Sequence, residues 1–279
     1  MVPPRMPIRL IALDLDGTAL DSHAALRPAV AQAVARAGER GIRVVPCTGR
    51  RYRTALPVIE ALALEGPVVV QNGVVVRDAR SGETLERRAL PHPLYDEVLR
   101  AYRDVGSPLV YVDDPRTDFF FEPVERAHVF QGEYLRDHGA AGTQVADLAL
   151  RPEVPVVMMS CMADGEALAL VHAKLREQLG ARARTHQIRN KNYRGDILEV
   201  VSPEAGKWSG LRWVCERLGI DPADVLAIGD DANDAEMIEH AGIGVAMANA
   251  VEAAKRVADH VVPDNDADGA AVAIERFAL

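Results

Sequence analysis

At 279 residues, with 48% hydrophobic and 26% charged side chains, the chain has the make-up of a soluble globular protein too long for one hydrophobic core, so two domains are expected. Its formal charge of -9 argues against nucleic acid as the main partner, which would call for a basic face; an anionic small molecule stays open, because a metal ion and a few placed cations invert the field locally. Cys47, Cys161 and Cys215 are too scattered for a disulfide framework or a zinc site, and with no apolar leader in residues 1–7 and no run long enough to span a bilayer the chain reads as cytoplasmic, without a membrane partner.

The first predicted element is a strand over residues 10–13, an unbroken apolar run of the kind buried on both faces inside parallel sheets. It ends in Asp14 and Asp16, with Gly17 allowing a tight turn that aims both carboxylates beyond the strand's C-terminal edge, where open α/β sheets bind ligands. Two carboxylates this close repel unless a cation lies between them, and a hard cation such as Mg²⁺ suits the gap. One could then act as a nucleophile and the other as a proton shuttle. Taken alone, the same residues also fit a solvated turn.

An Ala-rich helix from Pro28 to about Ala37, closed by Gly38 and Gly41, leads to a second buried strand over 42–46. That strand ends in Thr48-Gly49-Arg50, which reads either as a phosphate seat, with the Thr48 hydroxyl and Gly49 N–H as donors, or as an ordinary polar helix cap. A helix to about Leu64 follows, and then two Val-rich runs flank Asn72-Gly73, the strongest short hairpin signal in the chain.

From about 88 to 202 the texture changes. Pro91 and Pro93 mark a boundary, and Leu94, Val98, Leu99, Tyr102 and Val105 recur at helical spacing. Short strands are expected over 108–112, 119–122, 154–162, 181–188 and 196–201, with a helix over 166–179. This mixture marks a separate α+β unit inserted into the chain. Within it Phe119, Phe120 and Phe121 read as strand core rather than a substrate wall, and His92, His128, His138 and His186 show no metal-ligand spacing.

The strand and helix alternation resumes after Pro203. Lys207 enters a helix carrying Leu211, Val214, Cys215 and Leu218, and it is one of only four lysines, with Lys174, Lys191 and Lys255, in a chain whose other cations are nearly all arginine. Taken alone Lys207 reads either as a surface cation or as an ammonium reaching back to a phosphoryl group, and the sparing use of lysine weakens the first reading. The buried strand 225–229 then ends in Asp230-Asp231-Ala232-Asn233-Asp234, an acidic cluster able to meet the first one. A short strand over 242–246, a helix over 250–257 and an acidic loop over 263–269 precede a terminal helix.

Asp14-Leu15-Asp16-Gly17-Thr18, Thr48-Gly49-Arg50, Lys207 and Gly229-Asp230-Asp231-Ala232-Asn233-Asp234 resemble, in order and place, the four motifs of the haloacid dehalogenase superfamily. Asn72-Gly73, the segment 245–250 and Asp266-Ala267-Asp268-Gly269 look like its Cof-type branch, subfamily IIB. The resemblance implies a doubly wound, Rossmann-like parallel-sheet core in two segments, 1–87 and 203–279, with an inserted α+β cap domain over 88–202.

It further implies a Mg²⁺-dependent phosphatase of small phosphomonoesters, such as sugar phosphates or phosphorylated cofactors, working through an aspartyl-phosphate. Asp14 would be the nucleophile and Asp16 the acid and base; Mg²⁺ would sit on the carboxylates of Asp14 and Asp230 and the backbone carbonyl of Asp16. Thr48, Gly49, Lys207 and Asn233 would hold the transferring oxygens, with Asp234 orienting Lys207 or metal-bound water and Arg50 facing either substrate or cap. Asp16 and the Asp230 cluster argue against dehalogenation, which needs neither a leaving-group acid nor a metal. Ala19 is smaller than the apolar residue usual after the first motif, a difference of packing that leaves the chemistry intact. A phospho-acceptor signalling module or phosphotransferase would use the same Asp cluster; the 115-residue insertion, suited to closing over a substrate, favours an enzyme.

Overall fold

The strands Leu10–Leu13, Val225–Gly229 and Ile243–Met247 are buried at every residue, as expected of apolar runs with helices on both sides of the sheet. They belong to a computed structural model that describes residues 8–150, 152–189 and 193–279; residues 1–7, including Met6, and Lys191 lie outside the described residues. The chain forms two compact units, one from the chain up to Glu86 together with Gly206–Leu279, the other from Arg87–Ala205. Among the described residues no helix is long and apolar enough to cross a membrane.

In the first unit five strands pair in parallel in the order His260–Val262, Ile243–Met247, Val225–Gly229, Leu10–Leu13, Arg43–Pro46. Parallel neighbours need crossovers, here supplied by helices such as Pro28–Glu39, which starts on proline, and Lys207–Leu218, which ends on left-handed Gly219. After Leu10–Leu13 the chain moves to one side, and it returns on the other at Val225–Gly229; Leu13 is in register with both Pro46 and Ile228. The three strand ends that carry the charged motifs therefore lie side by side at the point where the winding reverses, which is where such sheets leave a crevice.

The hairpin expected around Asn72-Gly73 is formed by Pro67–Val70 and Val75–Asp78, with Thr84–Arg87 as a third strand. Val70 pairs with Val75, so the connection is longer than a two-residue Asn-Gly turn and contains a short 3₁₀ turn over Gln71–Gly73.

The second unit is a six-stranded sheet in the order Arg184–Arg189, Asp196–Val201, Val156–Ala163, Leu109–Asp114, Thr117–Phe121, Gly142–Gln144. Helices His92–Tyr102 and Gly165–Leu179 bury Leu94, Val98, Tyr102, Leu168 and Leu175 with Met159, Cys161, Leu198 and Val200 of the strands. Phe119 and Phe121 are core, as expected, with the Phe119 ring 5.3 Å from Tyr111 and 6.2 Å from Tyr134. Tyr134 comes from a helix the sequence did not announce, Val129–His138, whose buried Gln131 donates to the Ser107 carbonyl and accepts from Met162 N–H.

Glu199 alternates with core residues Leu198 and Val200, and loss of solvent pushes its carboxyl up to about 7. Between the ordinary carboxyl range and that value the folded chain keeps a proton the unfolded chain has lost, so stability falls as pH rises. Glu199→Gln is expected to raise unfolding stability by about 1 kcal/mol near pH 8 and to leave it almost unchanged near pH 5. Urea titrations at both pH values check this, and an equal effect at both would contradict it.

Candidate active site

Asp14 follows directly from the buried strand Leu10–Leu13, and its N–H still donates across to the Ile228 carbonyl, which fixes the carboxylate at the sheet's C-terminal edge. Lys207, first residue of its helix, reaches the same point from outside: its Nζ donates to Oδ1 of Asp14 and to Oδ1 of Asp234, both at 2.6 Å. All three side chains are almost fully buried. The other Asp234 oxygen accepts from the N–H groups of Asp230 and Asp231, each at 3.0 Å, as part of a capping box that starts the following turn.

Charge in this cluster is uneven. Burial works against the Lys207 ammonium, yet Asp14 and Asp234 outweigh it and hold its pKa above the ordinary lysine range. Burial, then Asp234 and Asp230, push the Asp14 carboxyl well above its usual value, and burial with Asp234 moves Asp230 to about 6. One ammonium thus serves several carboxylates, and a further cation fits the remaining negative charge. Oxygens of Asp14, Asp230 and Asp234 lie within 4.8 Å of one another. Together these three carboxylates form a group of the kind that can hold a divalent ion.

Asp230 is braced from two sides. Thr18 Oγ1 donates to its Oδ1 at 3.2 Å, and Gly17, at a φ of 81°, passes so close that a Cβ there would lie 2.3 Å from its Oδ2. Only glycine satisfies both that conformation and that approach.

Asp16 stands in different surroundings. Its side chain is 55% exposed and its carboxylate accepts from Nε of Arg50 at 2.7 Å and from Nη2 of the same guanidinium. Arg50, left open by the sequence between substrate and cap, therefore forks onto Asp16. Thr48 is buried, with Oγ1 accepting from Arg50 N–H at 3.1 Å, and Gly49 follows it at the end of Arg43–Pro46. Asn233 is exposed and donates from Nδ2 to Asn72 Oδ1 at 2.9 Å. The site residues named from the sequence thus gather around the ends of three adjacent strands and the start of the Lys207 helix.

Sequence reasoning gave no role to Asn249, Asn265 or Thr18. Asn249 Nδ2 donates to the Gly17 carbonyl at 2.8 Å, Asn249 Oδ1 accepts from Asn265 N–H, and Asn265 Nδ2 holds the Leu20 carbonyl. Asp266 accepts from Ser22 N–H and Asp268 from the Arg27 guanidinium, so the 249–268 stretch straps down the loop that follows Asp16. The signal was present in the segment 245–250 and the acidic loop, but their partners lie more than two hundred residues away.

Lys207→Met removes the ammonium from between two buried carboxylates and is expected to cost about 3–5 kcal/mol near pH 7. Without it the folded carboxyls hold protons the unfolded chain gives up, so the variant regains stability as pH falls. Urea unfolding near pH 7 and pH 5 reads both effects, and a loss identical at the two values would contradict them.

The haloacid dehalogenase-like hydrolase family matches residues 11–274. Pyridoxal phosphate phosphatase YbhA of Escherichia coli is 32% identical over 95% of this chain and 97% of its own. The chloroplastic endoribonuclease YBEY of Arabidopsis thaliana is 29% identical over 96% of this chain, which spans only 46% of that protein's length. Among solved structures, a haloacid dehalogenase-like hydrolase from Bacteroides thetaiotaomicron matches with a TM-score of 0.79 at 29% identity, covering 96% of this chain and 99% of that one. With the family match running through both segments of the parallel-sheet unit and the whole of the unit between them, the chain belongs to the haloacid dehalogenase-like hydrolases.

Proposed function

We propose that the chain is a Mg²⁺-dependent phosphatase that hydrolyses small phosphomonoesters through a phosphoryl group carried on Asp14, with sugar phosphates or phosphorylated cofactors as the substrate class. The observation that carries this reading is the Lys207 ammonium, 2.6 Å from both Asp14 and Asp234, which presents one carboxylate at the sheet edge beside a second acidic group, Asp230. The similarity to a protein named as a pyridoxal phosphate phosphatase supports the substrate class. In this reading residues 88–202 are a domain inserted into the catalytic core.

Asp14 attacks phosphorus in line, forming an acyl-phosphate P–O bond while the bond to the leaving oxygen breaks. Asp16 gives its proton to that oxygen, releasing an alcohol. Water then attacks the same phosphorus and loses a proton to Asp16, the acyl-phosphate bond breaks, and inorganic phosphate and the Asp14 carboxylate are restored. Thr48, Gly49, Lys207 and Asn233 hold the transferring oxygens through both steps. A Mg²⁺ ion on the carboxylates of Asp14 and Asp230 and the Asp16 carbonyl would supply neutralisation of the phosphoryl charge. Arg50 steadies Asp16 near the leaving oxygen, and Asp234 fixes the direction of Lys207.

Phosphate release across a panel of small phosphomonoesters, with Mg²⁺ or with chelator, tests the proposal. Release is expected only with Mg²⁺, and it is expected to fall by at least about 10³-fold in Asp14→Asn. Asp16→Asn should fold as the parent does and lose turnover. No release from any substrate, with Asp14 still labelled by a phospho-donor, would favour a phospho-acceptor protein instead, and full activity in Asp16→Asn would remove the acid and base role.

A further inference from the structure

We propose that Asn72, at the tip of the first unit's hairpin, is a positioning residue for the transferring phosphoryl group, acting by fixing the side-chain amide of Asn233; the inference rests on the phosphatase reading above. Gln71, Asn72 and Gly73 take successive φ values of 50°, 55° and 80°. Side chains seldom adopt this conformation, and folds keep it where surrounding contacts over-determine it.

Those contacts come from the segments that hold the phosphoryl seat. Asn72 N–H donates to the Thr48 carbonyl at 3.0 Å, and a Cβ built on Gly49 would lie 3.0 Å from Asn72 Oδ1. The same Oδ1 accepts from Asn233 Nδ2 at 2.9 Å. On the other side of the turn, a Cβ on Gly73 would lie 1.8 Å from the Gly206 carbonyl oxygen, one residue before Lys207. One turn is therefore pressed against Thr48-Gly49, against the start of the Lys207 helix and against Asn233.

Asn233 is exposed, and its side chain is free to turn unless something holds it. With one amide hydrogen given to Asn72, the other is directed to a phosphoryl oxygen, and the Asn233 carbonyl is turned away from an anion that would repel it. The chain thus uses Asn72 to keep a donor, rather than an acceptor, towards phosphate. A hairpin tip with ordinary turn chemistry has no need of this partner, since Gly73 alone would satisfy the close approach.

Calorimetric binding of inorganic phosphate in Mg²⁺ to the full chain, to Asn72→Gly, to Asn233→Ala and to the double variant tests this. Glycine suits a φ of 55°, so Asn72→Gly keeps the turn and removes only the amide. The single variant is expected to bind phosphate about tenfold more weakly, at an unchanged thermal midpoint, and the double variant to bind no more weakly than Asn233→Ala. Wild-type affinity in Asn72→Gly, or losses that add in full, would overturn the role of Asn72 while leaving the phosphatase reading intact. A parent chain that takes up no phosphate would overturn both.

Discussion

One ammonium between two buried carboxylates sets the rest of the site. Lys207 reaches Asp14 and Asp234 across 193 and 27 residues of sequence, and none of the three is stable in the interior without the others. The strand order places the ends of Leu10–Leu13 and Val225–Gly229 side by side, and the helix start brings the ammonium between them. The acidity of the chain as a whole, -9, is only partly offset at this point by the buried ammonium, since Asp14, Asp230 and Asp234 outnumber it.

The two carboxylates of the first motif stand in contrasting environments. Asp14 is buried against Lys207 and crowded by Asp234 and Asp230, whereas Asp16, two residues on, is half in solvent and forked by Arg50. The first is aimed by the sheet and held in place by the Lys207 ammonium. The second lies outside the ammonium cluster, with both of its oxygens on the Arg50 guanidinium. Gly17 makes the divergence geometrically feasible by turning the chain back so tightly that it touches Asp230.

Much of this was legible because each motif sits at the end of an unbroken apolar run, and such runs have few alternatives to a buried parallel strand. The aromatic triplet at 119–121 was legible through the preference of aromatic side chains for strands, with Phe119 and Phe121 buried and Phe120 half-buried. The helix Val129–His138 was not, since half of what it buries is Gln131 and Gly132 rather than an apolar stripe. The strands Gly142–Gln144 and His260–Val262 are three residues each, too short for a periodicity to form. What sequence could not supply was pairing through space: that Arg50 meets Asp16, that Asn249 holds the Gly17 carbonyl, and that an Asn-Gly turn braces the amide of Asn233.

The proposed phosphoryl transfer depends first on Asp14 as the nucleophile. During turnover of an active phosphomonoester, acid quench followed by borohydride converts an aspartyl-phosphate to homoserine, which peptide mass spectrometry locates. Homoserine at position 14 and at no other aspartate is the predicted result. Steady phosphate release with Asp14 unmodified, or with the modification at Asp16, Asp230 or Asp234, would contradict it.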